Sequence, residues 1–348
     1  MNHKFDMIPS KLTCLLILVM AFCVITPNTY SQPSDTAFEI YMVVWRGCED
    51  ACRGFQDFFR EEGIAANFII RNADRDKTKL PAFVREAKEL KVDLVVTWGT
   101  SVTVGMLGTL ADSDSVKHIT EIPAVFMIVA DPVGAGIVQD YESSGRANVT
   151  GTRNRVPEEV QMKAIRAYRY FKRLGIIYNT NELNSVLNVK KIRELARKMR
   201  FELFEGSIDL DDSGKPIIES VPQKIKELKD RNVSFIYVGS SSFLMRNRDY
   251  LTNSAIEQGV PIVAAYEEMA RKSNALLAVA SRYYSVGKLA GFQAKNILID
   301  KIAPVDLPIL SLSRYSYVIN METARKLKLY PPITVLRYAE IEHGKSQH

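Results

Sequence analysis

The feature that most constrains the fold of this chain is an alternation between short, almost wholly apolar segments and segments with helical periodicity. The run FEIYMVVW at residues 38–45 is apolar at nearly every position, and the segment 48–62 that follows has Ala51, Phe55 and Phe59 at helical spacing. The runs DLVVTW and PAVFMIV repeat the scheme farther along the chain. A strand that is apolar on consecutive residues is buried on both faces, so the alternation predicts a parallel sheet covered by helices on both sides.

The second half of the chain repeats this pattern, which predicts two α/β halves of similar size. Its apolar runs LGIIY, SFIYV and PIVAA are separated by segments with helical periodicity. The join lies near residues 148–156, NVTGTRNRV, where glycine and polar residues replace the apolar runs. The predicted fold class is therefore α/β, with two Rossmann-like lobes that each contain a parallel sheet.

Polar residues that begin a helix follow almost every predicted strand. In sheets of this kind ligands bind at the carboxyl ends of the strands, so these residues predict a binding cleft between the two lobes. The glycine turn with hydroxyls at a helix start, Gly99-Thr100-Ser101, suits a carboxylate. The predicted binding residues are Trp45, Arg46, Trp98, Gly99, Thr100, Ser101, Asp131, Asn179, Glu182, Asn184, Ser185, Ser240, Ser241, Tyr266, Glu268 and Tyr283.

Different members of this set are expected to bind different parts of a ligand. Asp131, together with Glu182 or Glu268, is expected to receive an ammonium group, because a carboxylate forms a charge-assisted hydrogen bond with such a donor. The tryptophans and tyrosines of the set are the expected aromatic walls, with core packing as the alternative for each of them.

Asp131 follows directly on an apolar run, in the segment VFMIVADPVGAGIV at residues 125–138. An Asp-Pro pair followed by glycines is explained either by a simple turn or by the mouth of a binding cleft. The run before it predicts a central strand whose end opens onto the ligand crevice. Pro132 also biases Asp131 toward an extended backbone. We therefore predict Asp131 at the mouth of the cleft, with the turn as the alternative.

The N-terminus has the pattern of an export signal. Lys4 and Lys11 precede an uncharged apolar run at residues 12–25, which has the size of a signal-peptide core and is short for a membrane span. Small residues at positions −3 and −1 predict cleavage after Ser31. We predict a signal peptide over residues 1–31 and a periplasmic or extracytoplasmic mature protein. The alternative is a membrane anchor through the apolar run.

The mature chain keeps two cysteines, Cys48 and Cys52, in the segment RGCEDACRG. Export places them in an oxidising compartment, which favours a disulfide. Two cysteines four residues apart on one helix face are poorly placed for one, and without a nearby histidine or further cysteine they are a poor zinc site. The sequence therefore leaves a disulfide and two free thiols as alternatives and predicts no metal site.

Charge and motif content argue against nucleic-acid binding and against catalysis. The 46 Lys and Arg residues against 40 Asp and Glu give a formal net charge of +6, but the two signs are interleaved and no basic run contains aromatic residues. The histidines of the mature chain, at 118, 343 and 348, follow no predicted strand. The chain has no H-E-x-x-H, P-loop or G-x-G-x-x-G motif, and GSSSF is not a G-x-S-x-G elbow. We predict no enzyme activity, no cofactor and no nucleic-acid partner.

Several segments point to a known family. DPVGAGIV and YNTNELNS are specific, and NVTGT, GVPIVAAYEE, YYSVGKLAG, ILIDKIAPVDLPI and YVINMETARKLKL support them. In this order the segments resemble the ABC-transporter substrate-binding proteins of the tryptophan/tyrosine-binding type, over residues 38–330. The resemblance implies a type I periplasmic-binding-protein fold, in which two lobes joined by a hinge close on a small ligand. Members of the family with known ligands favour aromatic amino acids.

The resemblance also implies an organisation and partners. Lobe 1 is expected over residues 38–153 together with about 283–305, and lobe 2 over 154–282. A C-terminal strand-helix segment, 306–340, is expected to cross back over the hinge. The implied partners are a small amino-acid-like ligand and the permease and ATPase of an ABC transporter. A periplasmic sensor that reports to a membrane receptor or kinase has the same fold and is the alternative function.

Three places depart from the family. Trp45-Arg46-Gly47-Cys48 stands where the family often has a histidine-containing loop, and Ser240-Ser241-Ser242 stands where it often has an Asp-Asn pair. Trp98 replaces a residue that is usually small. Because all three lie at strand ends, they leave the lobes intact and bear on the identity of the ligand.

Overall fold

The structure, a computed structural model, describes residues 37–343, which form two β-sheets flanked by helices. The predicted signal peptide and its cleavage site after Ser31 lie outside these residues. Among the residues described, no helix is both long enough and apolar enough to cross a membrane.

The first sheet has six strands, and all of its neighbouring strands are parallel. These strands are β1 (Phe38–Val44), β2 (Ala66–Asn72), β3 (Leu94–Trp98), β4 (Ala124–Val129), β5 (Val149–Arg153) and β11 (Leu310–Ser311). Across the sheet their order is β11-β5-β4-β3-β1-β2.

The second sheet has seven strands. All of its neighbouring strands are parallel except one pair, the strands at residues 277–280 and 316–320. Its strands are β6 (Arg173–Tyr178), β7 (Glu202–Ser207), β8 (Phe235–Val238), β9 (Ile262–Ala264), β10 (Leu277–Ala280), β12 (Ser316–Asn320) and β13 (Glu340–Glu342). Across the sheet their order is β13-β12-β10-β9-β8-β6-β7.

Helices connect most of the strands. They are α1 (Asp50–Glu61), α2 (Leu80–Glu89), α3 (Thr100–Leu107), α4 (Glu158–Tyr168), α5 (Leu183–Met199), α6 (Val221–Asp230), α7 (Ser242–Arg246), α8 (Arg248–Glu257), α9 (Glu267–Arg271), α10 (Tyr283–Leu298), α11 (Met321–Lys326) and α12 (Ile333–Leu336). Short 3₁₀ turns occupy Lys77–Lys79, Ile218–Ser220 and Pro304–Asp306.

Both faces of each sheet are buried, which explains the continuous apolar runs in the sequence. In the first sheet, Tyr41 and Val43 of β1 pack in a cluster with residues of α2 and α3. The intervening Ile40 and Met42 pack on the opposite face with residues of α1 and α10. Successive residues of a strand point to opposite faces, so a strand covered on both sides needs apolar side chains at every position.

The chain passes between the two sheets at three places: after β5, after β10 and after β11. Helix α10 follows a strand of the second sheet but packs against α1 and the first sheet. The two helices approach closely, because a Cβ on Gly54 would collide with the carbonyl of Tyr284 and a Cβ on Gly287 with that of Ala51. The division of the chain into lobes at the residue boundaries given above stays a prediction.

The predicted α/β fold class with two mainly parallel sheets is confirmed, while the start of one helix was predicted wrongly. The helix expected from residue 48 begins at Asp50, after Gly47 at φ +95°. Between β8 and β9 the chain forms two helices, α7 and α8, which meet at Asn247.

Cys48 and Cys52 form a disulfide, which decides between the two alternatives left by the sequence. Their Cα atoms are 5.2 Å apart, within the usual range for a disulfide. The expectation that both cysteines lie on one helix face was wrong, because Cys48 precedes α1 and is free of helical geometry.

Candidate binding site

A cavity lies between the carboxyl ends of the strands of the two sheets. It contains about 440 Å³ of space not filled by protein atoms, part of it continuous with solvent. The residues that line it are Trp45, Arg46, Trp98, Gly99, Thr100, Ser101, Ile128, Ala130, Asn154, Glu182, Asn184, Ser240, Ser242, Tyr266 and Tyr283.

The first sheet supplies one wall through the ends of four strands. Trp45 and Arg46 follow β1, Trp98 ends β3, and Asn154 follows β5. Gly99, at φ +89°, turns the chain from β3 into α3, so that the first residues of this helix face the cavity. A helix start with free N–H groups and hydroxyls favours a negatively charged group of a ligand.

The end of β4 is irregular where it reaches the cavity. The register between β4 and β5 shifts between Phe126 and Val129, and Ile128 lies at φ +57°, a value that a β-branched residue rarely adopts. Ile128 and the nearby Ala130 both line the cavity. The irregular strand end therefore contributes an apolar part of the wall, and backbone strain at such positions is common in binding sites.

The second sheet supplies the opposite wall through loops after three strands. Glu182 and Asn184 follow β6, and Ser240 and Ser242 follow β8. Tyr266 follows β9, and its hydroxyl accepts a hydrogen bond of 2.8 Å from the backbone N–H of Ser241. This bond connects the loops after β8 and β9.

Aromatic rings lie close together along the cavity. Trp98 and Tyr283 meet edge to face with ring centroids 6.3 Å apart, and Tyr266 and Tyr283 do so at 6.4 Å. Burial raises the pKa of Tyr266 to about 12 and the pKa of Tyr283 well above its ordinary value, so both hydroxyls stay protonated at neutral pH. These rings offer an ordered apolar surface for an aromatic ligand.

Arg46 is a cation already neutralised by the protein. Its Nε lies 2.5 Å from Oε1 of Glu49 and its Nη2 lies 3.0 Å from Oε2, while its guanidinium sits 4.8 Å from the centroid of the Trp98 ring. Burial opposes the charge of this side chain, but Glu49 outweighs that effect and raises the pKa of Arg46 above its ordinary value. Arg46 therefore stays charged and is held in place by Glu49 and Trp98.

Three polar atoms of the lining are buried without a hydrogen-bond partner among the described residues. They are Nε1 of Trp98, Oδ1 of Asn154 and Oε2 of Glu182. Buried polar atoms in folded proteins are nearly always paired. One donor and two acceptors are thus left for a molecule that enters the cavity.

Most of the predicted binding residues come together at this cavity. Those that line it are Trp45, Arg46, Trp98, Gly99, Thr100, Ser101, Glu182, Asn184, Ser240, Tyr266 and Tyr283. Those that do not line it are Asp131, Asn179, Ser185, Ser241 and Glu268.

Three of the residues outside the lining hold the loops in shape. The Oγ of Ser185 accepts a hydrogen bond from the N–H of Asn179, whose Oδ1 accepts one from the N–H of Asn181. The Oγ of Ser241 accepts one from the N–H of Leu244 and caps α7. Their side chains bind the backbone at strand ends, which is the ordinary role of such residues at helix starts.

The other two are carboxylates with partners of their own. Oδ1 of Asp131 accepts a hydrogen bond of 2.8 Å from the N–H of Gly134 within the turn, and Oδ2 lies 3.9 Å from Nη1 of Arg155. Glu268 pairs with Lys272 at 2.7 Å and lines a neighbouring cavity, which shares Arg46, Tyr266 and Tyr283 with the first.

Four lining residues were missed by sequence reasoning: Ile128, Ala130, Asn154 and Ser242. Asn154 carries the same signal as the predicted residues, because it is the first polar residue after β5. Ser242 directly follows the predicted Ser240 and Ser241. Nothing distinguishes the two apolar residues in the sequence, because their exposure to the cavity depends on the irregular end of β4.

Sequence reasoning also missed Arg155, which does not line the cavity but holds two of its loops in place. Its Nη2 donates to the carbonyl of Asn184 and to Oγ of Ser240, each at 3.2 Å. Its Nη1 lies 2.9 Å from Oε1 of Glu158. One buried guanidinium thus fixes two loops of the second wall.

Comparisons with known proteins agree with this architecture. The family model described as ABC transporter substrate binding protein matches residues 40–342. A protein named Tyrosine-binding protein, from Clostridioides difficile (strain R20291), is 29% identical over 278 residues, which are 80% of this chain and 75% of that protein.

Two solved structures share the fold of this chain. One is the ABC domain in complex with L-Trp from Streptococcus pneumonia, with a TM-score of 0.75 and 22% identity over 88% of this chain and 100% of that one. The other is the ligand-free, open structure of a substrate binding protein with adhesive properties from Clostridium difficile, with a TM-score of 0.68 and 22% identity over 89% and 100% of the two chains. These likenesses establish a two-lobed α/β fold of the periplasmic-binding type.

Proposed function

The chain belongs to the ABC transporter substrate-binding proteins, and on that premise we propose that it captures an aromatic amino acid in the cavity between its two sheets and delivers it to an ABC transporter. The observation that carries the proposal is the combination of aromatic walls with buried, unpaired polar atoms in one cavity. An aromatic amino acid offers a ring for the walls, a carboxylate as acceptor and an ammonium group as donor.

Different lining residues suit different parts of such a ligand. Thr100 and Ser101 at the start of α3 supply N–H groups and hydroxyls for a carboxylate, and the indole N–H of Trp98 supplies a further donor nearby. Tyr266 and Tyr283 supply rings for an aromatic side chain. The names of two similar proteins, one called tyrosine-binding and one solved with L-Trp, support the same class of ligand.

A thermal-shift panel on the mature chain tests the binding step. A ligand that binds only the folded protein stabilises it by roughly 2.7 kcal/mol at a hundredfold excess over its dissociation constant. We expect L-tyrosine or L-tryptophan to raise the melting temperature and L-alanine to leave it unchanged, because L-alanine has no ring. A panel in which no aromatic amino acid raises the melting temperature would refute the proposal.

Delivery and location need separate tests. We propose that the mature protein is extracytoplasmic, since the family functions outside the cytoplasm and the sequence begins with an export pattern. N-terminal sequencing of the protein from the cell envelope is expected to start after Ser31. Deletion of the gene is expected to reduce uptake of the labelled ligand. Unchanged uptake with intact binding would favour a sensor.

A further inference from the structure

Three carboxylates compete as the group that receives a ligand cation: Asp131, Glu182 and Glu268. All three follow predicted strands, so the sequence alone does not show which of them receives the cation. The structure separates them by the partners that each carboxylate already has.

Asp131 and Glu268 each lie near a side-chain cation and outside the lining of the main cavity. Asp131 accepts from Gly134 within its own turn and faces Arg155 at 3.9 Å. Glu268 pairs with Lys272 at 2.7 Å, and its side chain is 34% exposed. Neither carboxylate needs a ligand to balance its charge.

Glu182 has a different environment. Its Oε1 accepts a hydrogen bond of 3.0 Å from the N–H of Phe243 near the start of α7. Its Oε2 is buried and has no hydrogen-bond partner in the described part of the chain, although the residue lines the cavity. A buried carboxylate oxygen without a donor is unfavourable unless a ligand supplies that donor.

Arg46, the cation that lines the cavity, does not supply this donor. Arg46 donates from Nε and Nη2 to both carboxylate oxygens of Glu49, at 2.5 and 3.0 Å. No ion pair within residues 37–343 includes Glu182. Burial also raises the pKa of Glu182, and hydrogen bonds from the Ser241 side chain and from the backbone at the start of α7, together with the charge of Arg46, oppose this effect only in part.

We propose that Glu182 is the specificity-determining residue of the cavity, where it binds the ammonium group of the ligand and selects amino acids over carboxylic acids of the same shape. This inference rests on the proposed function and refines it. The carboxylate end of the ligand is then bound by the first wall and the ammonium end by the second. Only a ligand with both a carboxylate and an ammonium group provides a partner for each wall.

The test compares L-tyrosine with 3-(4-hydroxyphenyl)propionate, which has the same ring and carboxylate but no amino group. Titration calorimetry on the mature wild-type chain is expected to show at least about tenfold tighter binding of L-tyrosine, the scale of one charge-assisted hydrogen bond. Glu182→Gln is expected to remove most of this preference by weakening L-tyrosine while leaving the deaminated acid unchanged or improved.

Controls separate this role from a general effect on folding. Glutamine keeps an oxygen that can accept from Phe243 and removes a buried charge, so the ligand-free melting temperature of Glu182→Gln is expected to stay the same or rise. The control variant is Glu194→Gln, in the helix α5 that begins directly after Glu182, where Glu194 is exposed and pairs with Lys191. This variant is expected to keep the wild-type preference for L-tyrosine.

Several results would overturn the inference. If Glu182→Gln keeps the preference for L-tyrosine, another group binds the ammonium. If the preference is lost instead in Asp131→Asn or Glu268→Gln, the role belongs to that residue. In either case wild-type binding of L-tyrosine leaves the proposed function standing. Failure of the wild-type chain to bind either compound would overturn both proposals.

Discussion

At the scale of single residues, the polar atoms of the cavity differ in how completely the protein satisfies them. Arg46 is paired with Glu49, whereas Nε1 of Trp98, Oδ1 of Asn154 and Oε2 of Glu182 are buried and unpaired. Trp98 and Glu182 were predictable from sequence because each lies at a strand end. Which of their atoms stays unpaired was not predictable, since it depends on donors that folding brings from distant loops.

A substitution at Thr100 tests whether the start of α3 binds the carboxylate of the ligand. Thr100→Val keeps the shape of a side chain that is 6% exposed and removes its hydroxyl. If this hydroxyl donates to the ligand carboxylate, the variant is expected to weaken L-tyrosine by about 1–3 kcal/mol in titration calorimetry. Tyramine, which lacks the carboxylate, is the control ligand and is expected to bind both proteins equally. An equal loss for both ligands would contradict this role.

The raised pKa of Glu182 gives a pH dependence with a definite sign. The charged and titratable groups around it are Arg46 after β1 and Tyr266 after β9, and the start of α7 also donates to it. Above the ordinary value of 4.5, the unfolded chain loses this proton before the folded, ligand-free protein does. Because the folded state then binds more protons, its stability decreases as pH rises toward the raised pKa.

Denaturant unfolding of the ligand-free wild-type chain and of Glu182→Gln, at a series of pH values upward from 4.5, measures this effect. The free energy of unfolding of the variant is expected to increase relative to the wild type across this window and then level off. A difference that does not change with pH would mean that Glu182 titrates normally.

At the scale of elements, the strands were easier to predict than the helix starts. Strands buried on both faces leave a continuous apolar run, which identified β1, β3 and β4 of the first sheet. The start of α1 depends on backbone geometry at Gly47 and Glu49, which composition does not show. The antiparallel direction of β12 relative to β10 was also not predictable from the sequence, because buried strands of either direction have the same apolar pattern.

The disulfide connects a loop of the cavity to a helix. It joins Cys48, which is exposed and follows Trp45 and Arg46, to the buried Cys52 in the first turn of α1. In the chain-entropy model, a disulfide that closes a loop this short stabilises the folded protein by about 2 kcal/mol. We expect the double variant Cys48→Ser, Cys52→Ala to lose up to about that much free energy of unfolding.

We also expect this variant to bind L-tyrosine more weakly, because the loop that carries Arg46 loses one of its attachments. Denaturant unfolding and titration calorimetry measure the two effects. Addition of a reductant is the control, since it should change the wild type and leave the double variant unaffected. Wild-type stability and affinity in the double variant would show that the bond has no part in holding the loop.

At the scale of the whole molecule, the cavity exists because the two sheets turn the carboxyl ends of their strands toward each other. The three passages between the sheets keep both walls on one chain. Arg155, which lies in the first passage, contacts loops of the second wall and faces Asp131 in the turn after β4. The two α/β halves and a cleft between them were predictable from the repeated strand-helix pattern. Arg155 was not, because its partners lie far from it in the sequence.

The central claim is that this cavity binds an aromatic amino acid, and titration calorimetry on a cavity-filling variant tests it most directly. Ala130 lines the cavity and is 6% exposed, so Ala130→Leu adds apolar volume where the ligand is expected. We predict one site per wild-type chain for L-tyrosine or L-tryptophan, and at least about tenfold weaker binding to Ala130→Leu. The ligand-free melting temperatures of the two proteins should be similar. Equal affinity in both would contradict the account, because the ligand would then bind elsewhere.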